Sequence, residues 1–206
     1  MPSRRQVLIS GFALLAVAAP LMPARAAGEA SAVVSDFGDH MLQMLNDPKV
    51  SPSERQKQFG ALLDKDFDFA AIGRFVLGRY WATATDQQKQ EFAPVFRDYV
   101  VQSYSVRFGE FGGAAFKVTG ERPESPTSTI VSTTVMQKNN PTPAKVDWRV
   151  STATGAPRIT EVIVDGISMS LTHRQEFAAI IERNGGNIGD LIAQIRQRTG
   201  AGTAKQ

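Results

Sequence analysis

The segment V-D-W-R-V-S-T-A-T-G-A-P-R-I-T-E-V-I-V-D-G-I-S-M-S-L-T-H-R-Q-E-F, from Val146 to Phe177, carries the main clue to the architecture. Val146, Trp148 and Val150 alternate with polar residues, the period of a half-buried strand. Gly155 and Pro157 supply turn chemistry before a second run. In that run Ile159, Ile163, Ile167, Met169 and Leu171 fall on one side of an extended chain, and Val162 and Val164 on the other. A strand apolar on both faces needs covering on both. The rest of the chain, or something it carries, has to provide the cover.

Working outward, the upstream half reads as helices. Val34, Phe37, Met41, Met44 and Leu45 recur at helical spacing until Asp47-Pro48. Ser51-Pro52-Ser53-Glu54 opens a second helix with Phe59, Leu62 and Leu63 on its apolar side. Asp68 caps a third, with Ile72, Phe75 and Val76 facing inward. Thr85-Asp86-Gln87-Gln88 is a capping box before a long helix carrying Phe92, Val95, Phe96, Tyr99, Val100, Tyr104 and Phe108, bent at Pro94. Beyond Gly112-Gly113 the pattern changes to strands over Ala115–Gly120 and Ser128–Gln137, separated by polar, proline-bearing turns at Glu121–Pro126 and Asn139–Pro143. A helix over His173–Arg183 and another capped by Asn187 follow. The expectation is α+β: a helical layer on a curled four-stranded antiparallel sheet.

The first residues have a different character. Arg4-Arg5, an apolar run from Val7 to about Met22, and Ala24-Arg25-Ala26 read as an export signal, 1–26, cleaved after Ala26. Ser3-Arg4-Arg5 before Val7-Leu8 resembles a twin-arginine signal, although any signal needs a basic start. The apolar run is broken by Pro20 and Pro23 and too short to span a membrane. The chain has no cysteine, so the exported form takes neither a disulfide nor a lipid anchor there, which fits a bacterial periplasm. Loss of Arg4, Arg5 and Arg25 takes Lys plus Arg from 23 to 20, equal to the 20 Asp plus Glu. A neutral mature chain without a basic block argues against nucleic acid. Residues 27–199 read as one domain and 200–206 as a disordered tail.

Catalytic signals are poor. The only histidines are His40 and His173, and no ligand spacing for a metal is present. Asp64, Asp66 and Asp68 alternate, but they lack the glycine and closing glutamate of an EF-hand loop, and capping accounts for Asp68. Asp165, Ser168 and His173 suggest a hydrolase triad. However, the G-x-S-x-G turn is missing, and one short extended segment would splay them apart. The residues themselves leave open whether the abundant apolar side chains fill a core or line a cavity.

Phe67-Asp68-Phe69 through Leu77-Gly78-Arg79-Tyr80-Trp81, together with Glu161-Val-Ile-Val-Asp-Gly-Ile-Ser168 and His173-Arg-Gln-Glu-Phe177, resembles the MlaC, or toluene-tolerance auxiliary component, family over essentially the whole mature chain. His173 stands where that family usually has tyrosine. The resemblance implies a periplasmic, non-enzymatic carrier without cofactor. Its cargo is phospholipid, passed between an outer-membrane lipoprotein component and an inner-membrane ABC transporter complex with an MCE-type substrate-binding protein, in a system maintaining outer-membrane lipid asymmetry. A hopanoid-associated branch makes a hopanoid or other hydrophobic cargo the alternative. A small periplasmic enzyme acting on a hydrophobic substrate, or a structural adaptor with a filled interior, are the remaining readings. With each methylene contributing ~0.8 kcal/mol, one long acyl chain gains on the order of 10 kcal/mol in a dry slot. That slot is expected between the sheet and the helices. Phe116, Val118, Val131, Val135, Trp148, Val162 and Val164 would come from the sheet, Phe96, Tyr99 and Val100 from the long helix, and Phe75 and Val76 from the third.

Overall fold

The computed structural model describes residues 24–108, 112–138 and 140–203, with side chains placed for those between 28 and 200. Residues 1–23 of the expected signal lie outside that range. Four helices come first: α1 Ala24–Asn46, α2 Pro52–Asp66, α3 Phe69–Leu77 and α4 Asp86–Ser105, with a 3-10 turn Gly78–Trp81 between the last two. The expected cleavage point after Ala26 falls in the first turn of α1. Five strands follow: β1 Ala115–Ser125, β2 Ser128–Met136, β3 Ala144–Ser151, β4 Arg158–Val164 and β5 Ile167–Ser168. Then come α5 Met169–Arg183 and α6 Ile188–Thr203. The backbone of 200–203, expected in the tail, continues α6, and 204–206 lie outside the described residues.

The helix starts follow the local chemistry of the chain. Ser51 Oγ accepts from Glu54 N, Asp68 Oδ1 from Ala71 N, and Thr85 and Gln88 form the reciprocal box. Each cap satisfies a backbone donor that the helix cannot. Gly78, at φ 54°, ends α3. The positive φ disfavours any side chain there, and a Cβ would lie 2.6 Å from the Arg174 guanidinium, which would have to shift.

The sheet is an open antiparallel meander in the order β1-β2-β3-β4-β5, one strand more than the sequence suggests. The extra strand arises because the run beginning at Ile159 is not continuous. Asp165 at φ 48° and Gly166 at φ 84° make a tight turn, and Ile167-Ser168 folds back on Ile163-Val164. Ser168 Oγ then accepts from Leu171 N, so α5 begins at Met169 rather than His173, and Met169 and Leu171 are helical. β1 also runs further than expected, to Ser125. It is an edge strand, where Pro123 can sit without breaking a ladder bond.

The facing of β4 differs as well. Arg149 pairs with Glu161 but Val150 pairs with Ile159, so Thr160 is the extra residue of a bulge. The bulge turns Ile159 onto the same face as Val162 and Val164, the face shared by their cross-strand partners Val150, Trp148 and Val146. Strict alternation puts it on the other face. Ile163 stays on the other face of β4, paired with Asp147.

Two apolar clusters result. In one, α3, α4, α5 and α6 close on Phe92, Phe96 and Phe177. Phe92 and Phe96 stack at 5.8 Å, and Phe177 meets both edge-on. The other lies between the sheet and α1, α2 and the end of α4.

Candidate functional site

The second cluster does not close. Between the concave sheet face and the helices lies a cavity of about 570 Å³. Its floor is Val135, Val146, Trp148, Val162 and Val164, with Phe116 at the β1 edge. Trp148 presents apolar rings because its indole N–H is already used. It donates to Thr133 Oγ1 at 2.9 Å, and that hydroxyl donates to the Val146 carbonyl at 2.9 Å. A buried indole needs such a partner.

α1 forms the wall over β1 and β2. Phe37, Met41 and Leu45, one helical turn apart, face the cavity. Gly38 permits the approach, since a Cβ there would lie 2.4 Å from the Phe116 ring. Phe59 and Leu63 of α2, Phe69 and Ile72 of α3, and Phe96, Val100 and Tyr104 of α4 complete the roof. The lining reaches solvent at Arg107, Asp165 and Ile167, the last 60% exposed.

Polar groups are few: Glu161, Asp165, Ser170 and His173 on the β4–α5 side, with Tyr104 and Arg107 at the end of α4. The buried Glu161 carboxylate accepts from Val162 N at 2.9 Å, Ser170 N at 3.1 Å and Ser168 Oγ at 2.5 Å. It holds the first turn of α5, where free N–H groups and the helix dipole favour negative charge. His173 packs among Phe96, Tyr99 and Phe177, with Nε2 3.4 Å from Tyr104 Oη. Burial pulls the His173 pKa down against the opposing pull of Glu176 and Glu161, and burial pushes the Tyr104 phenol up. Both are therefore neutral near pH 7.

Of the expected site residues, Phe96, Val100, Phe116, Val135, Trp148, Val162 and Val164 line this cavity. Phe75 does not. It is 45% exposed, on the outside of α3, with the Arg174 guanidinium over its ring. Val76 is buried in the filled cluster, and Tyr99 packs against it. Val118 and Val131 belong to the sheet cluster without lining the space. The contribution of α1, α2 and Tyr104 is absent from the expected site. Their helical stripes are evident in the chain, but a stripe does not reveal which layer it faces. Asp165, Ser168 and His173 do not converge. Asp165 Oδ1 accepts from Lys145 N, Ser168 caps α5, and His173 lies more than a helical turn further on. Among the described residues no group of three or more His, Asp or Glu could hold a metal ion, and no helix is long and apolar enough to cross a membrane. A second depression of about 530 Å³ lies between α1 and α2, lined by polar residues such as His40, Gln58 and Lys65 together with Met44, Val50 and Leu62.

An open meander roofed by helices over one apolar cavity defines an α+β protein built around a hydrophobic interior compartment. Residues 35–197 match the model of the MlaC protein family, and the chain belongs to that family. It is similar to the toluene tolerance protein ttg2D of Pseudomonas putida, with 24% identity over 187 residues, covering 90% of this chain and 85% of that one. Among solved structures it is similar to the phospholipid-binding protein of Ralstonia solanacearum, determined in complex with a phospholipid. The TM-score is 0.72 at 23% identity, covering 84% of this chain and 98% of that chain.

Proposed function

We propose that the protein is a periplasmic lipid carrier that holds phospholipid acyl chain in the sheet–helix cavity and passes it between membrane-bound components. The observation that carries this reading is the 570 Å³ apolar cavity opening beside Ile167, which no side chain fills. Taking the ~30 Å³ share of a water as an upper bound for a methylene, 570 Å³ has room for roughly nineteen. That is enough for one long acyl chain. The phospholipid-bound relative and the family support the cargo class. The exported address rests on the signal reading of 1–26, and an ABC-transporter complex and an outer-membrane lipoprotein are the partner classes the family suggests. Release then requires a partner that binds an opened form better than the closed one.

The test is organic extraction of protein purified from a bacterial periplasm, followed by mass spectrometry. Phospholipid at about one molecule per chain is expected. A lipid-free extract, with no uptake from vesicles by the same sample, overturns the proposal.

A further inference from the structure

Two stretches that stand out in the chain, Phe75 to Trp81 and His173 to Phe177, meet on the outer face where α3 packs on α5. The Arg174 guanidinium lies over the Phe75 ring, 5.3 Å from its centroid, and against Gly78, where a Cβ would come within 2.6 Å of Nε. Leu171, three residues before Arg174 and so beside it on α5, is 44% exposed. Ile167 immediately precedes the Ser168 cap of that helix and lines the mouth of the cavity. Among the described residues five large apolar side chains are exposed, and Phe75, Ile167 and Leu171 are three of them. They form a stripe that starts at the mouth and runs along α5 to α3.

The charge on this stripe has one sign. Among the described residues neither Arg174 nor the exposed Arg74, next to Phe75, makes an ion pair or a side-chain hydrogen bond. The flanking acids are engaged elsewhere: Glu176 faces His173 Nδ1 at 3.4 Å, and Glu182 accepts from Arg79 and Tyr80. Stacking holds the Arg174 fork in place and leaves its N–H groups free for a phosphate or carboxylate. Apolar side chains interleaved with cations fit the boundary between head groups and acyl chains, where the first insert and the second meet phosphate. A protein partner is the poorer fit, because a stable protein interface takes roughly twenty residues or more a side, and this stripe consists of Ile167, Leu171, Arg174, Phe75 and Arg74.

We propose that this stripe rests on an anionic phospholipid bilayer and brings the cavity mouth to the membrane surface, so that an acyl chain enters or leaves without crossing bulk water. The choice of a bilayer rests on the carrier reading above, since that is where the cargo resides.

The experiment is flotation of delipidated protein, purified from a bacterial periplasm, with vesicles of phosphatidylcholine alone or mixed in equal parts with phosphatidylglycerol, each with a trace of fluorescent phosphatidylglycerol. Docked protein rises with the vesicles, whereas protein that has only taken up a lipid stays in the dense fraction with the label. The protein should rise with the mixed vesicles, less so as salt is raised, and not with phosphatidylcholine alone. Each cation near such a surface contributes about fivefold in affinity, so Arg74→Gln combined with Arg174→Gln should weaken binding roughly twentyfold. Leu171→Ser should weaken it about fivefold, with the fold of each variant checked by circular dichroism. If the unmodified protein does not float, the docking surface is overturned, and label in the dense fraction then leaves the carrier reading standing. Flotation that is indifferent to phosphatidylglycerol, or that survives these substitutions in folded protein, also overturns it. Protein that floats and is then released by salt without label supports the surface and counts against the carrier reading alone.

Discussion

Acyl-chain length is the perturbation that measures the cavity most directly. A methylene moved from water into a dry apolar wall contributes ~0.8 kcal/mol, and ~1.4 kcal/mol is tenfold in affinity, so each added carbon should tighten binding about fourfold. The gain should end when the space does, at roughly nineteen methylenes for 570 Å³. The assay is displacement of a fluorescent fatty-acid analogue by a series of saturated lysophosphatidylglycerols, each kept below its micelle-forming concentration. Log affinity should climb steadily with carbon number and then break to a plateau near the longest common chains. An affinity independent of chain length would mean that the chain is held outside the cavity. A slope that never breaks would mean that the walls part freely and set no limit.

Three further outcomes follow from named contacts. Val164→Trp puts an indole into the floor near the mouth, taking the room of several methylenes, so co-purified lipid should fall about tenfold or more while the melting temperature stays within a few degrees; undiminished lipid in the extract would remove Val164 from the site. Gly38→Ala in a helix interior would ordinarily gain ~0.5–1 kcal/mol, but here the new Cβ meets the Phe116 ring, and overpacking of ~1–3 kcal/mol reverses the sign. Urea denaturation reads the difference, and a stabilised variant would contradict the close seat of α1 on β1. Because the folded His173 pKa is depressed, the unfolded chain takes its proton near pH 6.5 while the folded chain does so only at lower pH. Stability should therefore decline as pH drops below about 6.5 and level off once the folded pKa is passed. His173→Phe should flatten that part of the urea-midpoint profile, and an unchanged slope would place the titration elsewhere.

The parts of this fold that were legible in the chain are those set by neighbours in sequence. Ser51, Asp68, Thr85 with Gln88, and Asn187 each announce a helix start, and each does so in the structure. The illegible parts depend on what lies across the sheet. Thr160 carries no mark of a bulge, yet skipping it changes the face of Ile159. The alternation through Ile167-Ser168-Met169 looks like one strand because a serine that caps a helix and a serine on a polar strand face read alike. Phe75 and Val76 show the same limit within α3. Both fit an apolar stripe, but only packing against α4 and α5 sends Val76 into the filled cluster and leaves Phe75 under Arg174.

The same reasoning explains why a lined cavity and a filled core could not be told apart by composition. Both clusters draw on the same residue types, and the difference lies in what keeps the walls apart. Phe92, Phe96 and Phe177 stack without obstruction, so their cluster closes. On the sheet side each wall is held in place by contacts that do not cross the space. Gly38 rests on Phe116, Arg97 clamps α4 to α2 through both oxygens of Asp64 at 2.9 and 2.8 Å, and Glu161 ties β4 to the start of α5. An unfilled apolar cavity costs its lining the packing contacts that a filled core would supply. Walls held open against that cost make sense only if an apolar occupant recovers the missing contacts. The anchors around this cavity are therefore, in energetic terms, part of the binding site, including the Arg97–Asp64 clamp, which does not line it.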